Sequence, residues 1–322
     1  MFSRFPRTSR AARALAVGAA LTLVAACGQS AQSGDSAASG AAGDDTIVLA
    51  SVPSEESTDL QSQFDAIIKM LEKETGKKVS FQQATDYAAV IEGQRAGQID
   101  IGVYGPFSYV IAKDGGVPVE PIGAMVDEAG GKPGYESYGW TRPDTGITDI
   151  KGFAGKKVCF VDVASTSGYL YPSAGLIEAG IDPKTGVTPV MAGGHDASLL
   201  SVASKQCDAG FAFDTMQATM VKNGQLKEGQ LTHVWTSEVI AGSPAVMSTS
   251  SLDADTQAKI REAFKTKANK PALVADGFCT SEEECKLPED TGWGFVPTTD
   301  ADYNGIREVC DITKAEACTS AG

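Results

Sequence analysis

Residues 157–179 read KVCFVDVASTSGYLYPSAGLIEA. Lys157 to Val161 is a β-branched and apolar run, the pattern of a buried strand. Ser165 to Gly168 forms a tight, hydroxyl-bearing loop, and Tyr169 to Ala179 is predicted as a helix stopped at Gly180. Downstream, Asp196 to Lys205 carries Leu199, Leu200, Val202 and Ala203 at helical spacing, and AGFAF from Ala209 to Phe213 is a further strand. Upstream the pattern recurs. TIVLAS (Thr46 to Ser51) is a strand, Leu60, Phe64, Ile67, Ile68 and Leu71 mark one face of a helix stopped at Gly76, and Lys78 to Phe81 is a second strand. Tyr87 to Arg95 is a second helix and IDIGVY (Ile99 to Tyr104) a third strand. Strands alternating with helices make a parallel sheet covered by helices. Two such series predict two α/β lobes, with a ligand crevice at the carboxyl ends of their strands. Ser251 is a candidate N-cap for a later helix carrying Ile260 and Phe264.

The chain has 322 residues, which at roughly 150 per domain allows about two domains. Its 42% hydrophobic and 21% charged residues suit a soluble globular protein rather than a disordered or multi-span one. With 27 basic against 41 acidic residues the net charge is −14, which opposes a phosphate-backbone footprint and excludes nucleic acid as an expected partner.

Arg4, Arg7, Arg10 and Arg13 precede the apolar stretch Ala14 to Ala26, which has the layout of a secretory signal over residues 1–26. The apolar stretch is too short for a membrane span. LVAAC (Leu23 to Cys27) resembles a bacterial lipobox, in which the chain is cut before the cysteine and its thiol takes a diacylglycerol. Plain signal cleavage nearby is the alternative. Loss of residues 1–26 leaves 23 basic against 41 acidic residues, a charge of −18, so lipid on Cys27 rather than basic charge must hold the chain at the outer face of the cell membrane. Residues 28–43 are almost wholly Gly, Ser and Ala, and residues 27–44 are expected to be a lipidated tether. Six cysteines remain, an even number suited to three disulfides in an exported chain. Short loops make Cys279–Cys285 and Cys310–Cys318 the simplest pairs, leaving Cys159 with Cys207. Zinc is the rival, but neither the spacing nor a nearby histidine supports it, and no metal or other cofactor is expected.

Three segments offer chemistry. Ser165, Thr166 and Ser167 open a helix after a strand, where free amides and the helix dipole attract anions and hydroxyls add neutral donors. Ordinary N-capping explains the same residues. His195, in the turn Gly193-Gly194-His195-Asp196, offers an imidazole N–H or a bond to its own backbone. Asp214, at the end of AGFAF, can accept an O–H from a protonated oxyanion, which sulfate lacks near neutral pH, or stand solvated. Tyr87, Tyr104 and Tyr135 are phenols at lobe edges.

In their order, DYAAVIEG (from Asp86), QIDIGVYGPFSYV (Gln98), PGYESY (Pro133), GKKVCFVDVASTSGYLYP (Gly155), AGGHDASLLSVASKQCDAG (Ala192) and GSPAVM (Gly242) resemble the phosphate-, phosphite- and phosphonate-binding proteins of ABC importers. The resemblance covers about residues 46–270. It implies a type II periplasmic-binding-protein fold with a two-strand hinge, lobe I being 45–134 and 244–322 and lobe II 135–243. It also implies oxygens held by Ser165, Thr166, Ser167 and His195, with Tyr87 and Tyr135 completing the cup and an ABC permease as partner. Aminoalkyl-phosphonate binders carry carboxylates where an ungapped reading here has Thr215 and Ser243. A buried ammonium without an acid is costly, so phosphate, phosphite or methylphosphonate is the expected ligand and a larger phosphonate the alternative. A non-catalytic receptor is expected, as a monomer. Other readings are an exported hydrolase using Ser165 or Ser167 with His195, which lacks a G-x-S-x-G elbow, and a sugar or peptide receptor, for which three Trp are few.

Overall fold

The structure is a computed structural model, and it describes residues 45–54, 60–288 and 292–319. The proposed signal, Cys27 and the tether lie outside the described residues. In chain order the elements of the first half are β1 (Thr46–Ser51), α1 (Leu60–Thr75), β2 (Lys78–Gln83), α2 (Tyr87–Arg95), β3 (Ile101–Val103), α3 (Pro106–Asp114), β4 (Val119–Val126), β5 (Gly134–Tyr135), β6 (Ser137–Thr141), β7 (Lys157–Phe160) and α4 (Tyr171–Glu178). There follow β8 (Thr188–Met191), α5 (His195–Ala203), β9 (Ala209–Phe213), α6 (Met216–Lys222), β10 (Thr232–Thr236), β11 (Ile240–Ala241), β12 (Pro244–Ser248), α7 (Ala254–Thr266), α8 (Lys270–Ala275), β13 (Gly294–Val296), α9 (Asn304–Thr313) and α10 (Glu316–Thr319).

One sheet has the order β13-β4-β12-β3-β1-β2 and the other β10-β6-β9-β7-β8. β1 runs parallel to β2 and β3, and β7 runs parallel to β8 and β9, as the alternating pattern requires. β4, β12 and β13 extend the first sheet with antiparallel pairings. Helices cover both faces, so the central strands are buried on both sides. Ile47 and Leu49 of β1 enter one core beside α1 and α7, while Val48 and Ala50 enter another. In the second sheet Val158 and Phe160 face one core and Cys159 the other. This is the period of two that a pleated strand imposes.

The chain passes between the two sheets twice, and the passages pair with each other: Ile240 lies opposite Tyr135 and Ala241 opposite Gly134. This short antiparallel ribbon is the hinge, and the architecture is the type II periplasmic-binding-protein fold. Gly76 and Gly180 stop their helices at φ +73° and +80°, the left-handed cap that glycine adopts without strain. Two expectations change. Residues 166–170 are a single π turn rather than a loop, and the N-cap of α7 is Asp253, whose carboxylate accepts from the Thr256 amide. Ser251 donates its hydroxyl to buried Asp100 instead, which in turn accepts from the Val48 amide. Disulfides join Cys159 to Cys207, Cys279 to Cys285 and Cys310 to Cys318. Among the described residues no helix is long and apolar enough to cross a membrane.

Candidate ligand cup between the lobes

β7 ends at Phe160, and Asp162 turns the chain by accepting from the Ala164 amide at 2.8 Å. Ser165 then caps the π turn: its hydroxyl accepts from the Gly168 amide at 3.1 Å and its carbonyl from the Leu170 amide. Thr166 and Ser167 occupy the first two positions of that turn, whose amides have no acceptor within the helix. Ser137, at the start of β6, donates its hydroxyl to the Ser167 carbonyl at 2.6 Å. The three hydroxyl residues are each about 98% buried, so the turn is held from behind and not merely capped.

His195 is the first residue of α5, reached through Gly193 at φ +89°. Its Nδ1 accepts from the Phe213 amide at 3.2 Å, and its ring meets the Phe213 ring edge-on at 4.8 Å. Burial pulls its pKa down to about 3, so the ring is neutral and Nε2 carries the proton. The histidine therefore presents a fixed neutral donor. It has no basic nitrogen to offer a serine, which removes the base that a hydrolase reading needs.

The lobes meet at this point. The Phe107 amide, at the start of α3, donates to the Thr166 hydroxyl at 2.8 Å, and the His195 amide donates to the Ser54 carbonyl at 2.9 Å. Between them lies a cavity of about 70 Å³ whose lining includes Ser165, Thr166, Ser167, His195, Tyr87, Tyr104 and Tyr135. Several hundred Å³ is usual for a drug-sized ligand, so this space suits a small ion. Among the described lining residues none is Lys, Arg, Asp or Glu. The lining combines hydroxyl, amide and imidazole groups with the apolar side chains of Val52, Leu60, Phe213 and Pro288.

The predicted residues are not equivalent. Burial raises the Tyr87 phenol pKa, a shift partly opposed by the facing Ser165 hydroxyl. Tyr104 contributes its ring to the wall, but its hydroxyl is donated to Gln94 Oε1 at 2.9 Å inside the first lobe. Tyr135 lines the cavity from the hinge strand. Asp214 is not among the lining residues. Its carboxylate accepts from the Glu136 amide at 3.1 Å and the Thr215 amide at 2.9 Å, tying the end of β9 to the hinge. Ser243 lines the cavity and Thr215 does not. Sequence reasoning missed Ser54, Gln63, Phe213 and Pro288, which also line it. Ser54 follows the carboxyl end of β1, where the crevice rule places ligands. Gln63 and Pro288 have no such local sign.

The family profile described as "ABC transporter, phosphonate, periplasmic substrate-binding protein" matches residues 49–303. The chain is 49% identical over 283 residues to the phosphate-import protein PhnD of Mycolicibacterium smegmatis, covering 85% of this chain and 88% of that one. A binding-protein component of an ABC phosphonate transporter from Pseudomonas aeruginosa superposes with TM-score 0.72 at 24% identity, over 86% of this chain and 89% of that one. PhnD1 of Prochlorococcus marinus, solved in complex with methylphosphonate, superposes with TM-score 0.70 at 19% identity, over 84% and 99%.

Proposed function

The chain belongs to the periplasmic substrate-binding proteins of phosphonate ABC transporters, and from that premise we propose that it captures phosphate, phosphite or methylphosphonate by shutting its lobes on the ion. It is a solute receptor and not an enzyme. The cup carries the ligand reading: the 165–167 turn and His195 line one small cavity between the lobes, where a bound ion would displace water. Neutral donors count for more there than in water. The 49% identity to a phosphate-import protein and the methylphosphonate seen in a structural neighbour support the same ligand class. Ligand oxygens are assigned to Ser165, Thr166, Ser167 and His195, with Tyr87 and Tyr135 at the rim. Asp214, whose carboxylate accepts from the Glu136 amide beside the hinge and from the amide of its neighbour Thr215, is assigned to holding the hinge rather than to the ligand's proton.

We assign residues 45–134 and 244–322 to lobe I and 135–243 to lobe II, a division that the pairing of Gly134–Tyr135 with Ile240–Ala241 supports. LVAAC at Leu23 to Cys27 supports a lipid anchor on Cys27. A tethered monomer then hands its ion to a membrane permease, and local donors outweigh the acidic surface that repels anions at long range.

Competition for bound radioactive phosphate tests the reading. Methylphosphonate is expected to displace phosphate, and 2-aminoethylphosphonate to need at least about tenfold more, because Ser243 offers its ammonium no carboxylate. Equal displacement by the two phosphonates would contradict it.

A further inference from the structure

The family match ends at residue 303, and the chain continues through α9 and α10. Lys314, at φ +48°, turns the chain between them, and Cys310–Cys318 closes the turn into a hairpin. This hairpin, with Tyr303 just before it, touches both lobes and the hinge. On lobe I, Arg307 grips both oxygens of Asp114 at the end of α3, and Tyr303, just before α9, stacks edge-on against Tyr109 at 4.8 Å. At the hinge, the Tyr303 hydroxyl donates to the Gly242 carbonyl at 3.2 Å. On lobe II, Glu316 pairs with Lys184.

The apolar contacts are deeper than the polar ones. Ile306 and Ala315 are buried in a single core that also holds Val110 of lobe I, Leu170 and Tyr171 of lobe II and Ile240 of the hinge. Cys310 and Cys318 pack against that core. The Lys184–Glu316 pair is largely exposed, at 52% and 88%, and such pairs contribute little. Burial and the disulfide must do the holding. α10 has four residues, too few to stay helical unaided, so the cross-link is what keeps Ala315 folded back into the shared core.

We propose that the disulfide-closed hairpin 304–319 is a strap that biases the two lobes toward the shut arrangement. All of its contacts are made in the same arrangement in which Phe107 meets Thr166 and His195 meets Ser54 across the cup. Rotation about the β5–β11 ribbon parts those cup contacts and shifts α4 against α3. One end of the strap must then lose its packing. Its effect on affinity rests on the ligand reading above, since a ligand that binds the shut form gains in proportion to the population already shut.

The test uses the whole protein, with Cys310→Ser/Cys318→Ser and, with the cross-link intact, Ile306→Ala. Small-angle scattering without ligand reads the lobe separation independently of what the cup binds, and calorimetry with inorganic phosphate reads affinity. Both variants are expected to be more extended than wild type without ligand, to match it when phosphate-saturated, and to bind phosphate about threefold to tenfold more weakly. If one variant fails to fold, the other carries the test. A ligand-free profile identical to wild type overturns the strap, as does an opened profile with unchanged phosphate affinity. Failure of wild type itself to bind phosphate overturns the ligand reading and leaves the scattering comparison standing.

Discussion

Gly168→Ala is expected to lower phosphate affinity by about 3 kcal/mol, roughly a hundredfold, while leaving the protein folded. A Cβ at this position would lie 2.3 Å from Val161 Cγ2, 2.4 Å from Val161 Cβ and 2.7 Å from the Ser165 hydroxyl. Val161 is fully buried and held by its own amide bond to the Gly168 carbonyl, so it cannot withdraw. The turn must move instead, and with it go the Thr166 and Ser167 amides and the Ser165 cap. Overpacking alone costs about 1–3 kcal/mol, and displaced donors leave a buried anion under-bonded. Lys259→Ala is the control: that side chain is exposed on α7 and does not line the cavity, and affinity should not change. Phosphate titration of both variants, with circular dichroism to verify folding, checks the expectation. Wild-type affinity in Gly168→Ala would mean that this turn does not bind the ion.

His195→Gln should remove a pH dependence of stability that wild type carries. Burial lowers the pKa of His195 from 6.5 to about 3 in the folded protein. Between those values the unfolded chain takes up a proton that the folded chain refuses, so this residue's contribution to stability falls as pH falls. The slope is about 1.4 kcal/mol per pH unit once below 6.5. Asp162 and Asp214 have pKa values raised by burial and act in the opposite direction, but they are present in both proteins and cancel in the comparison. Urea unfolding at pH 7 and pH 5 should therefore show the variant gaining about 2 kcal/mol relative to wild type at the lower pH. A constant difference would mean that folding leaves the imidazole's proton affinity unchanged and does not hold the ring neutral. At neutral pH, His195→Ala should cost roughly 1–3 kcal/mol of phosphate binding. Glutamine, whose amide can both accept from Phe213 and donate to the ion, should recover part of it.

Much of the fold was legible because buried strands and one-faced helices write their periods locally. Tyr87–Arg95 and Ala209–Phe213 fall where the pattern puts them, and Gly76 and Gly180 stop their helices. What the pattern could not show is order across a sheet: the antiparallel places of β4, β12 and β13 depend on contacts far apart in the chain. The 165–168 segment reads locally as a loop, yet the Ser165 cap and the packing of Val161 wind it into a π turn. Ser251 looks like a cap until the fold brings Asp100 to its hydroxyl.

The cup divides in the same way. Ser165, Thr166, Ser167 and His195 stand at strand-to-helix turns, where general physics places anion donors, and the structure gathers them with Tyr87 and Tyr135 around one cavity. Tyr104 and Asp214 sit at equally suggestive positions, but Gln94 takes the phenol hydroxyl, and the Glu136 amide beside the hinge and the Thr215 amide take the carboxylate. Gln94 is ten residues from Tyr104 and Glu136 is 78 from Asp214, so no local pattern announces those two partners. Pro288 reaches the cavity from a stretch tied by Cys279–Cys285 and anchored by buried Leu287, a placement that only the folded chain defines.

A phosphorus oxyanion is proposed to sit between the lobes on hydroxyl, amide and imidazole donors. A crystal structure of the protein grown with phosphate tests it most directly. The expected result is a phosphate in the cavity, within hydrogen-bond distance of the Thr166 and Ser167 amides, the hydroxyls of residues 165–167 and His195 Nε2, with the lobes shut. Shut lobes around an empty cup, or phosphate bound only elsewhere on the surface, would contradict it.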